Sequence, residues 1–251
     1  MRLRLIIDEG DAAYNMAYDE ALLILRAVNI IPDTLRLYIF KPSAVTIGYF
    51  QSLSQSVNLD YVSKHGIQVV RRLSGGGAVY HDANGEITYS IVLSEDKVPR
   101  DYVESFKFLC SGVIEAARIL GAPAEFAPLN DGIIKGRKFS GQAQVRRLGV
   151  VLQHGTFMYN TNIDILANVL LTPKLKLKSK GIKEIKERVI TISQYLGKQV
   201  SREEALKALI KGFERGLKAE LRESSPKEVE LELANSLKWK YRSREWTYLR
   251  P

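Results

Sequence analysis

Hydrophobic positions along the chain follow two different periods, which predict a mixture of strands and helices. In Thr34–Phe40, Leu35, Leu37 and Ile39 alternate with their neighbours, the pattern of a half-buried strand. Residues 86–93 alternate in the same way. In residues 12–28, by contrast, apolar side chains recur at helical spacing, which predicts a helix that Asp11 can cap.

The same reading applied to the whole chain predicts an α+β fold. Further strands are predicted at residues 1–7, 44–50, 67–70, 131–134, 137–146 and 150–159. Further helices are predicted at residues 58–64, 101–120, 163–171, 201–221 and 226–236. Long strand runs with helices at both ends favour a mostly antiparallel central sheet flanked by helices. We expect one domain over residues 1–251.

Composition is typical of a globular protein outside the membrane. Hydrophobic residues make up 45% of the chain and charged residues 26%. No apolar run is long enough to span a bilayer, and charges at Asp8 and Glu9 come too early for a signal peptide, so we expect a cytoplasmic protein with no membrane partner. A single cysteine, Cys110, excludes disulfides within the chain, and with three histidines a structural metal site is not expected.

The net charge of +9 limits the possible classes of binding partner only in part. A basic surface attracts nucleic acid, acidic proteins or anionic substrates without deciding among them. Six lysines recur in residues 174–186, which form either a solvated face or a docking face. Asp19 and Glu20 are interpreted as structural charges on a helix surface, and Trp239 and Trp246 as packing anchors of the C-terminal segment.

The densest candidate chemistry lies in residues 69–82, which read VVRRLSGGGAVYHD. Glycines let a ligand approach the backbone, and exposed N–H groups beside Arg71 and Arg72 suit an anionic group. The alternative is a glycine-rich hairpin turn with two solvated arginines. The loop is not a Walker loop, which needs Gly-Lys-Ser/Thr. It is not a dinucleotide fingerprint either, because G-x-G-x-x-G must open a helix and a strand pattern follows here.

Four blocks in order resemble the lipoate–protein ligase A family. They are residues 71–82, the lysine block NDGIIKGRKFSGQAQ at 130–144, QHGTFMYN at 153–160, and 180–182 with 188–189. The resemblance implies a fold like that of biotin ligases and the core of class II aminoacyl-tRNA synthetases. Longer family members carry a further small domain after the catalytic one. We expect that C-terminal accessory domain to be absent here and a separate accessory subunit to take its place.

The resemblance also assigns roles to individual residues. Lys138 matches the lysine that contacts both the acyl carboxylate and the nucleotide α-phosphate, where a cation would stabilise developing negative charge. Asn130 and Asp131 match residues facing the phosphates, and Asp131 would hold Mg²⁺. The remaining matches are Gly75 and Gly76 on the acyl side, and the nucleotide-contacting Arg72, Gly77, Ala78, Val79 and Tyr80. For His81 and His154, two interpretations stay open: a side chain that orients the pocket, or a buried core histidine.

Cysteine usage decides between two activities at this stage. Octanoyltransferases of this fold carry the acyl group on a cysteine, whereas Cys110 lies in a helical pattern and residues 124–129, before the lysine block, contain no cysteine. The expected function is therefore a lipoate–protein ligase. It would convert lipoate and ATP to lipoyl-adenylate, and then transfer the lipoyl group to a lysine of the lipoyl domains of 2-oxoacid dehydrogenases or of the glycine cleavage H protein.

Three alternatives remain open. The nearest is an octanoyl or lipoyl transferase that takes its acyl group from an acyl carrier protein without the usual thiol. A biotin ligase ranks lower because its signature loop differs. A non-catalytic acyl-adenylate or RNA-binding module would explain the basic charge, but the intact Lys138 and glycine loop argue against it, so nucleic acid is not an expected partner.

Overall fold

The computed structural model describes residues 1–171 and 178–251 of the chain. The strands are β1 (Arg2–Gly10), β2 (Thr34–Phe40), β3 (Ala44–Ile47), β4 (Gln68–Arg71), β5 (Val79–His81), β6 (Glu86–Ser94), β7 (Ala124–Ala127), β8 (Asp131–Ile134), β9 (Arg137–Arg147), β10 (Val150–Met158) and β11 (Glu220–Glu223). The helices are α1 (Ala12–Ala27), α2 (Leu53–Ser56), α3 (Leu59–Lys64), α4 (Tyr102–Ile119), α5 (Ile163–Val169), α6 (Lys178–Arg188), α7 (Ile192–Leu196), α8 (Arg202–Gly216), α9 (Glu228–Arg242) and α10 (Arg244–Thr247).

A mixed sheet forms the centre of the fold, in the order β11-β1-β2-β6-β10-β9-β8-β7. β1 is parallel to both β11 and β2, and the other neighbours pair antiparallel. A second sheet has the order β4-β3-β5. The α+β fold with a mostly antiparallel sheet is therefore confirmed. No helix in the described ranges is long and apolar enough to cross a membrane.

The two faces of the large sheet bury different kinds of side chain. On β6, Ile87, Tyr89, Ile91 and Leu93 join a core cluster with residues of α4 and α8. Successive strand side chains point to opposite faces, so the intervening residues, among them Ser90, face α1 and the small sheet. One face is thus mostly apolar, with a small polar cluster around Gln153 and Ser105, and the other carries a larger set of buried polar groups.

Several helices begin where local sequence predicts. The Asp11 and Asp101 side chains accept hydrogen bonds from the Tyr14 and Glu104 amides, and Ser201 forms a capping box. Such caps are each worth about 0.5–2 kcal/mol because they satisfy amides that have no partner within the helix.

Other expectations were wrong where long-range contacts decide. The predicted helix 201–221 ends at Gly216, and β11 follows, because Glu220–Glu223 pairs with the first strand. Trp239 is 71% exposed and anchors nothing, whereas the Trp246 indole donates to the Arg71 carbonyl at 2.7 Å. Of the lysine-rich stretch 174–186, residues 174–177 lie outside the described residues, and residues 178–186 belong to α6.

Candidate functional site

Two adjoining cavities lie between the polar face of the large sheet and the small sheet. The inner cavity, about 520 Å³ including its mouth, is lined largely by buried residues that include Met16, Tyr38, Arg72, His81 and His154. The outer cavity, about 1,390 Å³ with its mouth, is lined by residues that include Met158, Leu166, Leu170, Ile185 and Val189.

The two cavities meet at the glycine loop and β9. The residues that line both are Gly77, Ala78, Val79, Lys138, Gly141 and Thr156. Of the other expected site residues, Asn130 lines the inner cavity, and Tyr80 and Asp131 line the outer one. A group bridging the cavities would therefore contact the end of the glycine loop on one side and Lys138 on the other.

Lys138 stands at this junction because the pairing of β8 with β9 places it opposite Ile133, from where its side chain reaches the carboxylate of Asp131. Its Nζ lies 2.6 Å from Asp131 Oδ1, and its side chain remains 41% exposed. The lysine lies over Gly141, where an added Cβ would be 2.6 Å from Nζ. Glycine at that position leaves space for the lysine, which keeps a positive charge at the cavity junction.

Asp131 does not complete a ready-made metal site. Its carboxylate is paired with Lys138, and the neighbouring Asn130 side chain donates to the Gln142 carbonyl. Across residues 1–171 and 178–251, no group of three His, Cys, Asp or Glu side chains could hold a metal ion. One carboxylate already paired with a lysine does not fit a protein-held Mg²⁺ site, so no step below uses a metal.

Arg72 lies beneath the glycine loop, with its donors already bound to the protein. It donates to Ser74 Oγ at 3.1 Å, to the Thr46 carbonyl and hydroxyl at 3.2 Å, and to the Gly75 and Gly77 carbonyls at 2.6 and 2.8 Å. Burial lowers the pKa of the Arg72 guanidinium to about 10. Burial and Tyr38 act on the charge of Arg72, and no carboxylate of the described residues does, so this buried charge favours an anionic or strongly dipolar group in the inner cavity. Its expected nucleotide contact stays a prediction.

Arg71 is also buried and lies away from both cavities. It donates to the carbonyls of Gly48, Tyr49 and Gln51, and to those of Trp246, Thr247 and Arg250 in the C-terminal segment. The expectation of two solvated or ligand-facing arginines was thus wrong for this residue. The loop is not a hairpin either, because β4 and β5 pair with opposite edges of β3.

Gly75 and Gly76 shape the loop but line neither cavity in this structure. Gly76 has φ +85°, a conformation that favours glycine. A Cβ on Gly48 would lie 2.0 Å from the Gly76 carbonyl oxygen, so the loop and the corner after β3 pack backbone against backbone. Their expected acyl contact stays a prediction.

A buried polar array, which sequence reasoning missed, backs the inner cavity. Asp19 is 2% exposed, so its placement on a helix surface was wrong. It binds His154, Arg36, Tyr38 and Ser90. Glu20 is buried as well and accepts bonds from Lys240 and Tyr241. Polar residues at every second position of β6 were the one available signal, since an inward-facing polar row needs buried partners.

Both pocket histidines are neutral at pH 7 because burial opposes their charged form. Burial lowers the pKa of His81 to about 3 and also lowers the pKa of His154. His81 lies between Thr46 and Thr88 and stacks on Phe40. Both rings can therefore accept or donate hydrogen bonds as neutral imidazoles.

Cys110 lies on the other side of the large sheet from the cavities. It is fully buried in α4, within the core cluster that contains Tyr89 and Phe213. Burial raises the pKa of its thiol well above the ordinary value. The helical position expected for Cys110 is confirmed, and the site contains no thiol.

Comparison with known proteins corrects the expected activity. Octanoyltransferase LipM of Brevibacillus brevis is 34% identical over 98% of this chain and 99% of its own length. Similar proteins between 31% and 37% identical bear the same name. The sequence-based choice of an ATP-dependent ligase was therefore wrong, and the transferase alternative is favoured. The absence of a cysteine near the lysine block misled the prediction, because it was taken to favour ATP as the source of activation over a thiol-free transferase.

Solved structures share the fold over almost the whole chain. The lipoate protein ligase described as bi-partite from Thermoplasma acidophilum is 36% identical, with a TM-score of 0.87, and the match covers 98% of this chain and 96% of that one. A lipoate-protein ligase A bound with ATP is 33% identical, with a TM-score of 0.86 and 98% of each chain covered. Residues 11–214 match the sequence profile described as the lipoyl protein ligase A/B catalytic domain. The chain belongs to this family of lipoyl and octanoyl attachment enzymes.

Proposed function

We propose that this protein transfers an octanoyl or lipoyl group from the thioester of an acyl carrier protein to the ε-amino group of a lysine on a lipoyl-type acceptor domain. The observation that carries the proposal is the position of Lys138 where two cavities meet. The free end of an acyl chain can enter the buried inner cavity. The carrier arm and the acceptor lysine are attached to proteins, so they must approach through the outer cavity.

Transfer in this site is direct. The acceptor amine attacks the thioester carbonyl, a C–N bond forms and the C–S bond breaks. The proton lost by the amine goes to the departing carrier sulfur. Lys138 stabilises the oxyanion of the tetrahedral intermediate, and the buried charge of Arg72 adds a positive field. An acyl-enzyme on Cys110 does not fit, because that thiol lies across the sheet.

The acceptor domain would dock beside the outer cavity, whose rim includes Glu184 and Arg188 of α6. Lys183 of the same helix is 79% exposed. Together with the net charge of +9, this face suits an acidic acceptor such as a lipoyl domain or an H protein. The expected single domain and separate accessory subunit stay predictions.

The test mixes the protein with octanoyl carrier protein and an unmodified lipoyl domain, and reads the intact mass of the acceptor. A parallel reaction replaces the thioester with Mg·ATP and free lipoate or octanoate. We expect acylation from the thioester and a loss of about 100-fold or more in Lys138→Ala, the scale of removing one oxyanion donor. Lys207→Ala is a matched control, since Lys207 also lies 2.6 Å from a carboxylate but on α8. Acylation only in the ATP reaction would refute the thioester donor.

A further inference from the structure

Three residues from distant parts of the chain form one hydrogen-bonded relay behind the inner cavity. They are Asp19 of α1, Ser74 in the glycine loop and His154 of β10. His154 Nδ1 lies 3.1 Å from Asp19 Oδ2, and His154 Nε2 lies 2.6 Å from Ser74 Oγ. Asp19 is 2% exposed, His154 7% and Ser74 1%, so water competes little for these hydrogen bonds.

The contacts of Asp19 determine the charge at the buried end of the relay. Burial disfavours its ionised form, but the hydrogen bond from His154 and the charge of Arg36 outweigh this and lower the pKa of Asp19. Ser90 Oγ and Tyr38 Oη also donate to it, at 2.7 and 3.0 Å. Asp19 is therefore a carboxylate that can only accept hydrogen bonds.

This carboxylate selects one tautomer of His154. Since Asp19 only accepts, the hydrogen of the neutral ring belongs on Nδ1, which leaves Nε2 as an acceptor for the Ser74 hydroxyl. Ser74 Oγ in turn accepts from Arg72 Nε at 3.1 Å. Each hydrogen bond of the relay then has one direction: Ser74 donates to His154, and His154 donates to Asp19.

The relay ends at the residue that begins the glycine loop. The Ser74 carbonyl accepts the Tyr49 amide at 2.9 Å, which ties the loop to the corner after β3. Arg72 holds the Gly75 and Gly77 carbonyls from the same side. Ser74 itself lines neither cavity and both partners of its hydroxyl are protein groups, so it is placed to orient the loop rather than to attack a substrate.

We propose that Asp19, His154 and Ser74 are positioning residues for the acyl transfer. Asp19 sets the tautomer of His154, His154 fixes Ser74, and Ser74 holds the glycine loop where it meets the acyl carbonyl. The His154 ring also forms part of the inner cavity wall, so the same relay shapes the space for the acyl chain. The turnover measurement rests on the proposed function, whereas the hydrogen-bonded relay and its tautomer do not depend on it.

Turnover separates this role from a general structural one. Ser74→Ala is expected to lower kcat about 10- to 100-fold while KM for the acyl donor stays within about threefold, because a misplaced loop misaligns a group that still binds. Ser105→Ala is the matched control: it removes another buried hydroxyl, which lies on α4 across the sheet from the relay, and should keep kcat within about twofold. Melting temperatures of both variants check that they fold. Equal losses in the two variants would overturn the inference.

The tautomer is measured without any substrate, by ¹⁵N NMR of labelled histidine, with His154→Gln to assign the signals. The wild-type ring should be neutral at pH 7 with its hydrogen on Nδ1, and Asp19→Asn should move population to the Nε2–H form. A wild-type His154 with hydrogen on Nε2 overturns the relay, whether or not acyl transfer is seen. Absence of turnover by a wild-type protein with the expected tautomer overturns the proposed function instead and leaves the relay standing.

Discussion

Removal of the single thiol should leave acyl transfer intact. Cys110 is fully buried in α4, on the opposite face of the sheet from Lys138. Even an ordinary exposed cysteine is only a few per cent thiolate at pH 7, and burial raises the pKa of this one. Cys110→Ala is therefore expected to turn over within about twofold of the wild-type rate if transfer is direct.

The cost of the substitution falls on stability. Cys110→Ala deletes one buried sulfur from a packed cluster, similar in scale to the loss of one methyl group, and should lower the free energy of unfolding by about 1 kcal/mol. Cys110→Ser places a hydroxyl among apolar side chains such as Phe213 and should cost about 1–3 kcal/mol. Both costs are smaller than the roughly 5–15 kcal/mol that stabilises a typical domain, so both variants should fold.

Intact-mass analysis of acceptor and enzyme supplies the assay. Without acceptor, octanoyl carrier protein should leave the mass of the enzyme unchanged. A rate more than about tenfold lower for Cys110→Ala at equal folded fraction would refute direct transfer. An octanoyl adduct on Cys110 itself would refute it as well.

Two further predictions concern docking and pH. Lys183→Glu should raise KM for an acidic acceptor domain about 3- to 10-fold, and the effect should be weaker at high salt. Lys207→Glu on α8 should leave this KM unchanged. Equal effects of the two substitutions would contradict docking at α6. Burial raises the pKa of Glu86 well above 4.5 and lowers that of His81 to about 3. As the pH rises above 4.5, the unfolded state releases the Glu86 proton before the folded state does, which lowers stability. Up to pH 6.5 the unfolded state binds a proton on His81 that the folded state lacks, so stability rises as that proton is lost, and the two contributions oppose each other. Glu86→Gln leaves the His81 contribution, and stability should then rise by about 2 kcal/mol from pH 5 to 6.5 in denaturant titrations; a slope unchanged from wild type would contradict this assignment.

Local sequence was enough to determine the starts of α1, α4 and α8 and the identity of the chemistry-bearing blocks. Asp11, Asp101 and Ser201 cap their helices through amides only three residues away, so no distant contact is needed to predict them. Alternation in β6 predicted a strand with two different faces for the same local reason. The glycine loop and the lysine block could be recognised because their residues are contiguous.

Only the tertiary structure decided how those parts combine. β11 exists because Glu220–Glu223 meets Arg2–Leu5 across almost the whole chain, and nothing within the segment itself requires a strand. Asp19 is an ordinary surface-type residue until folding places His154 beside it, 135 positions away. Likewise, the sequence shows that one cysteine is present, but the packing of α4 against the far face of the sheet is what separates it from the site. Burial and pairing of this kind depend on contacts between distant segments, and the residue types alone do not specify them.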